Sequence, residues 1–381
     1  MIFSCARSNQ EDALAWMDVP IVGASQTENY LHLLEGKKIG VVTNQSGRID
    51  ETHLVDSLLA LNVNIVRVFS PEHGFRGDAD AGEHVNNQVD KKTGLQLISL
   101  YGTNKKPTKS QLDGLEVLVF DIQDVGVRFY TYISTLHYVM QACAENNIKL
   151  IVLDRPNPNG SYVDGPVLDT NFTSFVGMHP VPIVHGMTIG EYAKMINGEG
   201  WLGNDLVTDL KIIPLANYSH DSYYSLPVPP SPNLRSDLSI QLYPSLCLFE
   251  ATTVSIGRGT EFPFEIYGHP AFKSESYSFV PKSSFGAKSP KMEGETCKGY
   301  RLSNNDLSFP RKFELSFLIN ACQELEGQKF IETSRFFNLL AGNDVLQQQL
   351  IDHVSEEEIR ASWSAGLEEY RKIRLRYLLY P

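Results

Sequence analysis

Four apolar, β-branched runs, each stopped by a polar or proline-bearing loop, constrain this chain most: Lys38–Asn44, Val63–Phe69, Leu115–Asp121 and Lys149–Asp154. Each reads as a buried strand, and the helical spacing of Leu54, Leu58 and Leu61 between the first two supplies a connecting helix. Leu95–Tyr101 and Val207–Pro214 read as further strands. Strands alternating with helices form a mainly parallel sheet with both faces covered, so the fold class is α/β. Open sheets of this kind bind ligands at the carboxyl edge, and polar residues gather there after strand upon strand.

Residues 6–30 are polar and mixed and read as a lead-in before the fold. The loop Ser70–Gly94 is long and polar, as functional loops are. Thr188 with Glu191, and Ser355 with Glu358, have capping-box spacing and predict helices, the first to about Gly198. In the second, Ile359, Trp363, Leu367, Tyr370 and Ile373 recur at three- or four-residue steps, the pattern of a core-facing stripe. The segment Leu226–Asn233 holds four prolines, which forbid helix or central strand, and is the best boundary between a unit over 30–226 and one over 227–381. The second unit reads as a helix around Ser239–Glu250, a strand Thr252–Ile256, an irregular Gly/Ser/Lys-rich stretch near 280–300, and terminal helices.

A net charge of −12 and a pI near 5.3 argue against nucleic acid as a partner, because phosphate binding needs a basic stripe and the sequence has none. An anionic small molecule would need a local arginine pocket instead. The five cysteines are scattered without metal-ligand spacing and read as buried thiols. No Gly-x-Gly-x-x-Gly follows the first strand, no Gly-x-Ser-x-Gly occurs, and no histidine pair has ligand spacing, so neither a cofactor nor a metal is expected. No stretch approaches the roughly 20 apolar residues of a membrane helix. Ile2-Phe3-Ser4-Cys5 resembles the end of a bacterial lipoprotein signal, although the regions that precede such a cysteine do not stand before it. Two readings stay open: lipid on Cys5 and a cell-envelope or periplasmic location, or an accidental match. Oligomeric state is not legible.

The candidate chemistry lies in the strand-end loops. Glu72, in Ser70-Pro71-Glu72-His73-Gly74-Phe75-Arg76, is a candidate general acid, since a carboxyl in a closed pocket holds its proton toward neutral pH. Its bland reading is a helix cap or a partner for Arg76. Asp121, Asp124, Arg128, Tyr130 and Tyr132 stand at and just after the end of the run Leu115–Asp121, close enough together to orient a polyol and clamp a carboxylate. The bland alternative is a carboxylate accepting loop N–H bonds with Arg128 neutralising it. Asp154, Arg155 and Asn157 form a polar rim or structural Asx turns, and His185 lines the pocket as a hydrogen-bonding group. Gly257-Arg258-Gly259-Thr260 is too short for a phosphate loop, but Arg258 reaches across a cleft between domains to hold an acidic substrate.

Thr43-Asn44-Gln45-Ser46-Gly47, Ser70-Pro71-Glu72-His73-Gly74, Phe120–Tyr132, Leu153–Pro158, His185–Glu191, Pro230-Ser231-Pro232-Asn233, Tyr243–Glu250, Gly257–Thr260 and the terminal Arg374–Tyr380 together resemble the bacterial exo-β-N-acetylmuramidases of the NamZ type. The resemblance runs from about residue 37 to the end. It implies a Rossmann-like N-terminal domain, a smaller C-terminal α/β (α+β) domain, and a cleft between them that releases terminal N-acetylmuramic acid from the non-reducing end of peptidoglycan fragments in cell-wall recycling. It carries Glu72 over as catalytic acid. Asn44, His73, Arg76, Gln123, Arg128, Tyr132, Asp154, Arg155, Asn157, His185, Asn233 and Arg258 are the expected binding residues, the arginines meeting the lactyl carboxylate. The second catalytic group stays open among Asp121, Asp124, a tyrosine such as Tyr130, and the substrate's own acetamido group. Two competing readings are a catalytically silent envelope protein that binds muropeptides and a metal-dependent amidase or esterase using His73 and His185.

Overall fold

All five residues of β1 (Ile39–Thr43) are buried, and this strand lies inside the main sheet with neighbours on both sides. The structure is a computed structural model that describes residues 19–72, 74–76, 88–308 and 311–381. After β1 come a two-residue ladder of β2 (Arg48–Ile49) with β3 (Thr52–His53), helix α1 (Leu54–Ala60) and β4 (Ile65–Ser70). Next are β5 (Gln88–Val89), β6 (Gln96–Ser99), β7 (Val117–Asp121), α2 (Tyr132–Asn146), β8 (Lys149–Leu153), α3 (Ile189–Gly198) and β9 (Leu210–Ile213). The sheet order is β5-β6-β4-β1-β7-β8-β9, with six strands parallel and β5 an antiparallel edge.

The parallel strands therefore run outward in both directions from the β1/β7 pair, the arrangement of a doubly wound dinucleotide-type sheet. The alternating runs of the sequence correspond to these strands, and Thr188 caps α3 through the expected box with Glu191. Residues 19–30 are not a lead-in. Tyr30 is fully buried with its hydroxyl on the Ala24 carbonyl at 2.8 Å, and Ile21 bridges to Ala216. Their polarity hid three apolar anchors, Val22, Ala24 and Tyr30.

Beyond the proline-rich segment, α4 (Asp237–Leu246) is capped by Ser236 and runs into a 3₁₀ turn over Cys247–Ala251. The expected strand over 252–256 forms only isolated bridges, Thr252 to Ile331 and Ser255 to Gly268, because no continuous partner lies beside it. A three-stranded antiparallel sheet follows, β10 (Ile266–His269), β11 (Tyr277–Phe279) and β12 (Cys297–Arg301), in the order β10-β12-β11. Helices α5 (Leu315–Glu324), α6 (Ser334–Ala341), α7 (Val345–Ile351) and α8 (Glu356–Leu375) complete the chain. One continuous apolar core holds Phe120 and Leu136 of the first part with Leu246, Phe313 and Trp363 of the second. The stripe on α8 buries Ile359, Trp363, Leu367 and Tyr370. The tail then returns to the first sheet, where Tyr380 Oη donates to Asp154 Oδ2 at 2.6 Å. Among the described residues no helix is long and apolar enough to cross a membrane.

Candidate active site

The crevice outside β1 and β7, where a doubly wound sheet ordinarily receives its ligand, is filled by the chain itself. Asp121 at the end of β7 takes Arg155 Nε at 2.5 Å and Nη2 at 2.9 Å, both side chains buried. Asn44 accepts from the Ser46 amide and hydroxyl, and Ser46 Oγ accepts the Gln123 amide at 2.9 Å. Gln123 Nε2 donates to the carbonyls of Asp124 and Pro156. A Cβ on Gly47 would meet Thr43 Oγ1 at 2.0 Å, so the turn closes directly over the strand ends.

The open space lies one strand over. A cavity of about 300 Å³ is lined by Glu72, Tyr101, Tyr130, Tyr132, Asn233, Tyr243, Glu250, Arg258 and Phe264, among others. Glu72 enters it because β4 ends at Ser70 and Pro71 cannot continue the ladder. Phe129–Tyr132 enter because they bridge β7 to α2, whose amino end opens on the cavity and adds positive potential there. Glu250 sits on the 3₁₀ turn that prolongs α4. Arg258 is aimed by its glycines: Gly257 and Gly259 have φ of 75° and 79°, and a Cβ on either would strike Ile266 Cγ1 or Lys282 O at 2.4 Å.

The electrostatics divide the lining into aromatic donors and one ion pair. Burial, then the charge of Glu72 and a hydrogen bond to it, push the Tyr101 phenol up to about 12. Tyr132 Oη accepts from Asn44 Nδ2 at 2.9 Å, and Tyr130 Oη donates to the Pro230 carbonyl at 2.8 Å. Burial drives Tyr130 well above the ordinary phenol range, so it stays protonated. Arg258 pairs with Glu250 and lies 5.3 Å from the Phe264 ring centre. Its Nε is buried with no hydrogen-bond partner among the described residues. A wider cavity of about 520 Å³ adjoins, and Glu72, Glu250 and Arg258 border both.

Of the residues singled out in the sequence, Glu72, Tyr130, Tyr132, Asn233 and Arg258 meet at the cavity, with Asn44 behind Tyr132. His73 lies outside the described residues. The other arginines face elsewhere. Arg76 is engaged by Asp56 and Asp90, and Arg155 by Asp121. Fully buried Arg128 donates to the carbonyls of Pro166, Val181, Leu340 and Ala341, satisfying the carboxyl end of α6 rather than a ligand. Burial, opposed in part by the nearby Tyr192, lowers it to about 9.

Asp124 and His185 are buried behind the site. Asp124 Oδ2 accepts the Gly126 amide at 2.7 Å, and burial raises the carboxyl to about 7. His185 Nε2 stands 3.9 Å from Asp124 Oδ2, and burial lowers this imidazole to about 3. Asp154 collects Thr188, Gly190 and Tyr380, while Asn157 bonds the Met187 carbonyl and the Asn159 amide. These are loop-building contacts. Among the described residues no group of three acidic, histidine or cysteine side chains could hold a metal. Tyr101 and Glu250 escaped the sequence reading as site residues, although both stand at the ends of apolar stretches where polar residues already drew attention.

Known proteins match this chain over most of its length. The family model for the N-terminal part of exo-beta-N-acetylmuramidase NamZ matches residues 39–238, and that for its C-terminal part matches 241–380. Peptidoglycan beta-N-acetylmuramidase NamZ of Bacillus subtilis (strain 168) is 39% identical over 379 residues, covering 92% of this chain and 89% of that protein. Two crystal structures of DUF1343 family proteins from Bacteroides fragilis NCTC 9343 superpose with TM-scores of 0.87 and 0.82, at 45% and 28% identity. Each covers 95% of this chain and 99% of its own. The chain belongs to the NamZ family of exo-β-N-acetylmuramidases.

Proposed function

We propose that this protein is a glycosidase that releases terminal N-acetylmuramic acid from the non-reducing end of peptidoglycan fragments, with Glu72 as its general acid. One observation carries the residue assignment: of the two carboxylates that border both the aromatic cavity and the wider one beside it, Glu250 is paired with Arg258, whereas Glu72 shares a hydrogen bond with the Tyr101 phenol. A glycosidic oxygen has the departing sugar on one side and the rest of the glycan on the other, so its proton donor must stand at that junction. The smaller cavity, at the lower end of the roughly 300–1,000 Å³ usual for small ligands, suits a single amino sugar.

In this reading the Glu72 carboxyl gives its proton to the glycosidic oxygen as the bond to the anomeric carbon breaks. The leaving glycan departs with that hydrogen, water supplies the hydroxyl of the released sugar, and the remaining proton of that water restores the Glu72 carboxyl. Positive charge develops on the ring in the transition state, and Glu250 is the second carboxylate of the cavity able to stabilise it. Asp121 is committed to Arg155, Asp124 is not part of the lining, and Tyr130 keeps its phenolic proton. The Arg258 guanidinium, on the border of both cavities, is the cation best suited to the lactyl carboxylate that distinguishes muramic acid. The reaction serves cell-wall turnover in the envelope, where its substrate is, and Cys5, the candidate lipid-bearing residue, lies outside the described residues.

The test is cleavage of a chromogenic β-N-acetylmuramide beside the matching β-N-acetylglucosaminide. Selective hydrolysis of the muramide is expected, and cleavage of neither by folded protein would overturn the proposal.

A further inference from the structure

The wider cavity carries a feature that hydrolysis of a terminal sugar does not require. Besides Glu72, Glu250 and Arg258, it is bordered by Ser255, Ile256 and the segment Gly286–Lys291, which contributes Lys288 and Lys291. Around this cavity Arg258, Lys288 and Lys291 face Glu72 and Glu250, an excess of one positive charge on the border of a cavity in a chain whose net charge is −12.

The segment bearing the lysines is the Gly/Ser/Lys-rich stretch, and it is held in place. Ser284 and Ala287 exchange backbone hydrogen bonds at 3.0 Å, and Asn233 Nδ2 donates to the Gly286 carbonyl at 2.8 Å. Gly286 has φ 84°, and a Cβ there would lie 2.6 Å from Pro232 Cβ, so the turn is seated on the interdomain segment. Lys291 Nζ is anchored by the Thr252 carbonyl and Glu332. The same Asn233 lines the smaller cavity, which couples the two walls through one side chain.

We propose that this cavity is the subsite for the leaving part of the glycan and that Lys288 and Lys291 recognise a carboxylate on it. The inference rests on the glycosidase reading, which defines the leaving side, and goes beyond it by naming the leaving groups preferred. Peptidoglycan alternates N-acetylglucosamine with N-acetylmuramic acid. After release of the terminal muramic acid, the next anion along the chain is therefore the lactyl carboxylate of the following muramic acid, or the carboxylates of a peptide attached to it. Either presents the same chemistry to two ammonium groups.

The experiment compares kcat/KM of the full chain on four substrates: a chromogenic β-N-acetylmuramide, the disaccharide N-acetylmuramyl-N-acetylglucosamine, the trisaccharide ending in a second muramic acid, and that trisaccharide with its terminal lactyl carboxylate converted to a methylamide. A fifth, carrying L-alanyl-D-isoglutamine on that lactyl group, separates the two sources of charge. The free-acid trisaccharide is expected to exceed the methylamide by about tenfold, the scale of one charge-assisted contact, and the advantage is expected to shrink as salt rises. Lys288→Glu, at an exposed position, is expected to abolish or invert that ratio. Recovery of the advantage by the dipeptide form alone would assign the site to peptide carboxylates. Equal kcat/KM for acid, amide and dipeptide forms would overturn the inference while leaving the glycosidase intact, as would a ratio unmoved by Lys288→Glu. Failure to cleave even the chromogenic muramide would instead defeat the underlying reading, and this inference with it.

Discussion

Asp121 and Arg155 form a two-pronged ion pair, 2.5 and 2.9 Å, at the point where the parallel sheet changes direction, and neither side chain is more than 4% exposed. This pair occupies the place where many doubly wound sheets hold a ligand. The open cavity lies instead between the ends of β4 and β7 and the second part of the chain, and Asp121, engaged by Arg155, is not among the residues that line it.

Asp121→Asn would leave the Arg155 guanidinium buried without its counter-charge. Removing one partner of a buried pair costs about 3–5 kcal/mol. Denaturant unfolding should show a loss of that order. Asp121→Asn with Arg155→Met should recover part of it, since no uncompensated charge remains. A single variant as stable as wild type would contradict the assignment.

Asp124 should be visible in the pH dependence of stability. Its carboxyl is raised from 3.8 to about 7 by burial, so the native state holds a proton that the unfolded chain has released. The stability attached to that proton is fully present below the unfolded value and is lost as pH rises through 7. Asp124→Asn lacks this titration while keeping an acceptor for the Gly126 amide. Relative to wild type, the variant should gain on the order of 2–4 kcal/mol between pH 4 and pH 8. Thermal melts across that range give the measurement, and parallel curves for the two proteins would refute the prediction.

Arg258→Gln addresses sugar selectivity. The substitution leaves Glu250 without its cation and removes the donor proposed for the lactyl carboxylate. Loss of one charged hydrogen bond corresponds to roughly 10–100-fold in kcat/KM. That loss should fall on the muramide and be smaller on any residual glucosaminide cleavage. An equal loss on both would mean that Arg258 shapes the wall without reading the carboxylate.

Legibility differed between scaffold and site for a physical reason. Apolar runs, proline stops and capping boxes are local signals, and β1, β4, β7, β8, α3 and α8 follow them closely. What a loop side chain faces is decided by packing between distant segments. Arg128 and Arg258 both follow closely on a glycine in a polar loop, yet one is sealed among the carbonyls of Pro166, Val181, Leu340 and Ala341 while the other opens on the cavity. Their neighbours differ, Val127 and Phe129 against Gly257 and Gly259, but those neighbours do not specify which distant carbonyls or which cavity each side chain meets. Glu250 was hidden for the same reason, since only the 3₁₀ turn after α4 brings it across from Glu72 to the shared lining.

The most direct test of the account is Glu72→Gln, assayed on the chromogenic β-N-acetylmuramide with binding of N-acetylmuramic acid measured in parallel. Glutamine keeps the size and a polar head but has no proton to give. Turnover should fall by about 10²–10⁴-fold, the span of general acid catalysis, with affinity for the sugar largely kept. A variant that turns over at the wild-type rate would show that the proton comes from elsewhere and that the junction of the two cavities is not the catalytic point.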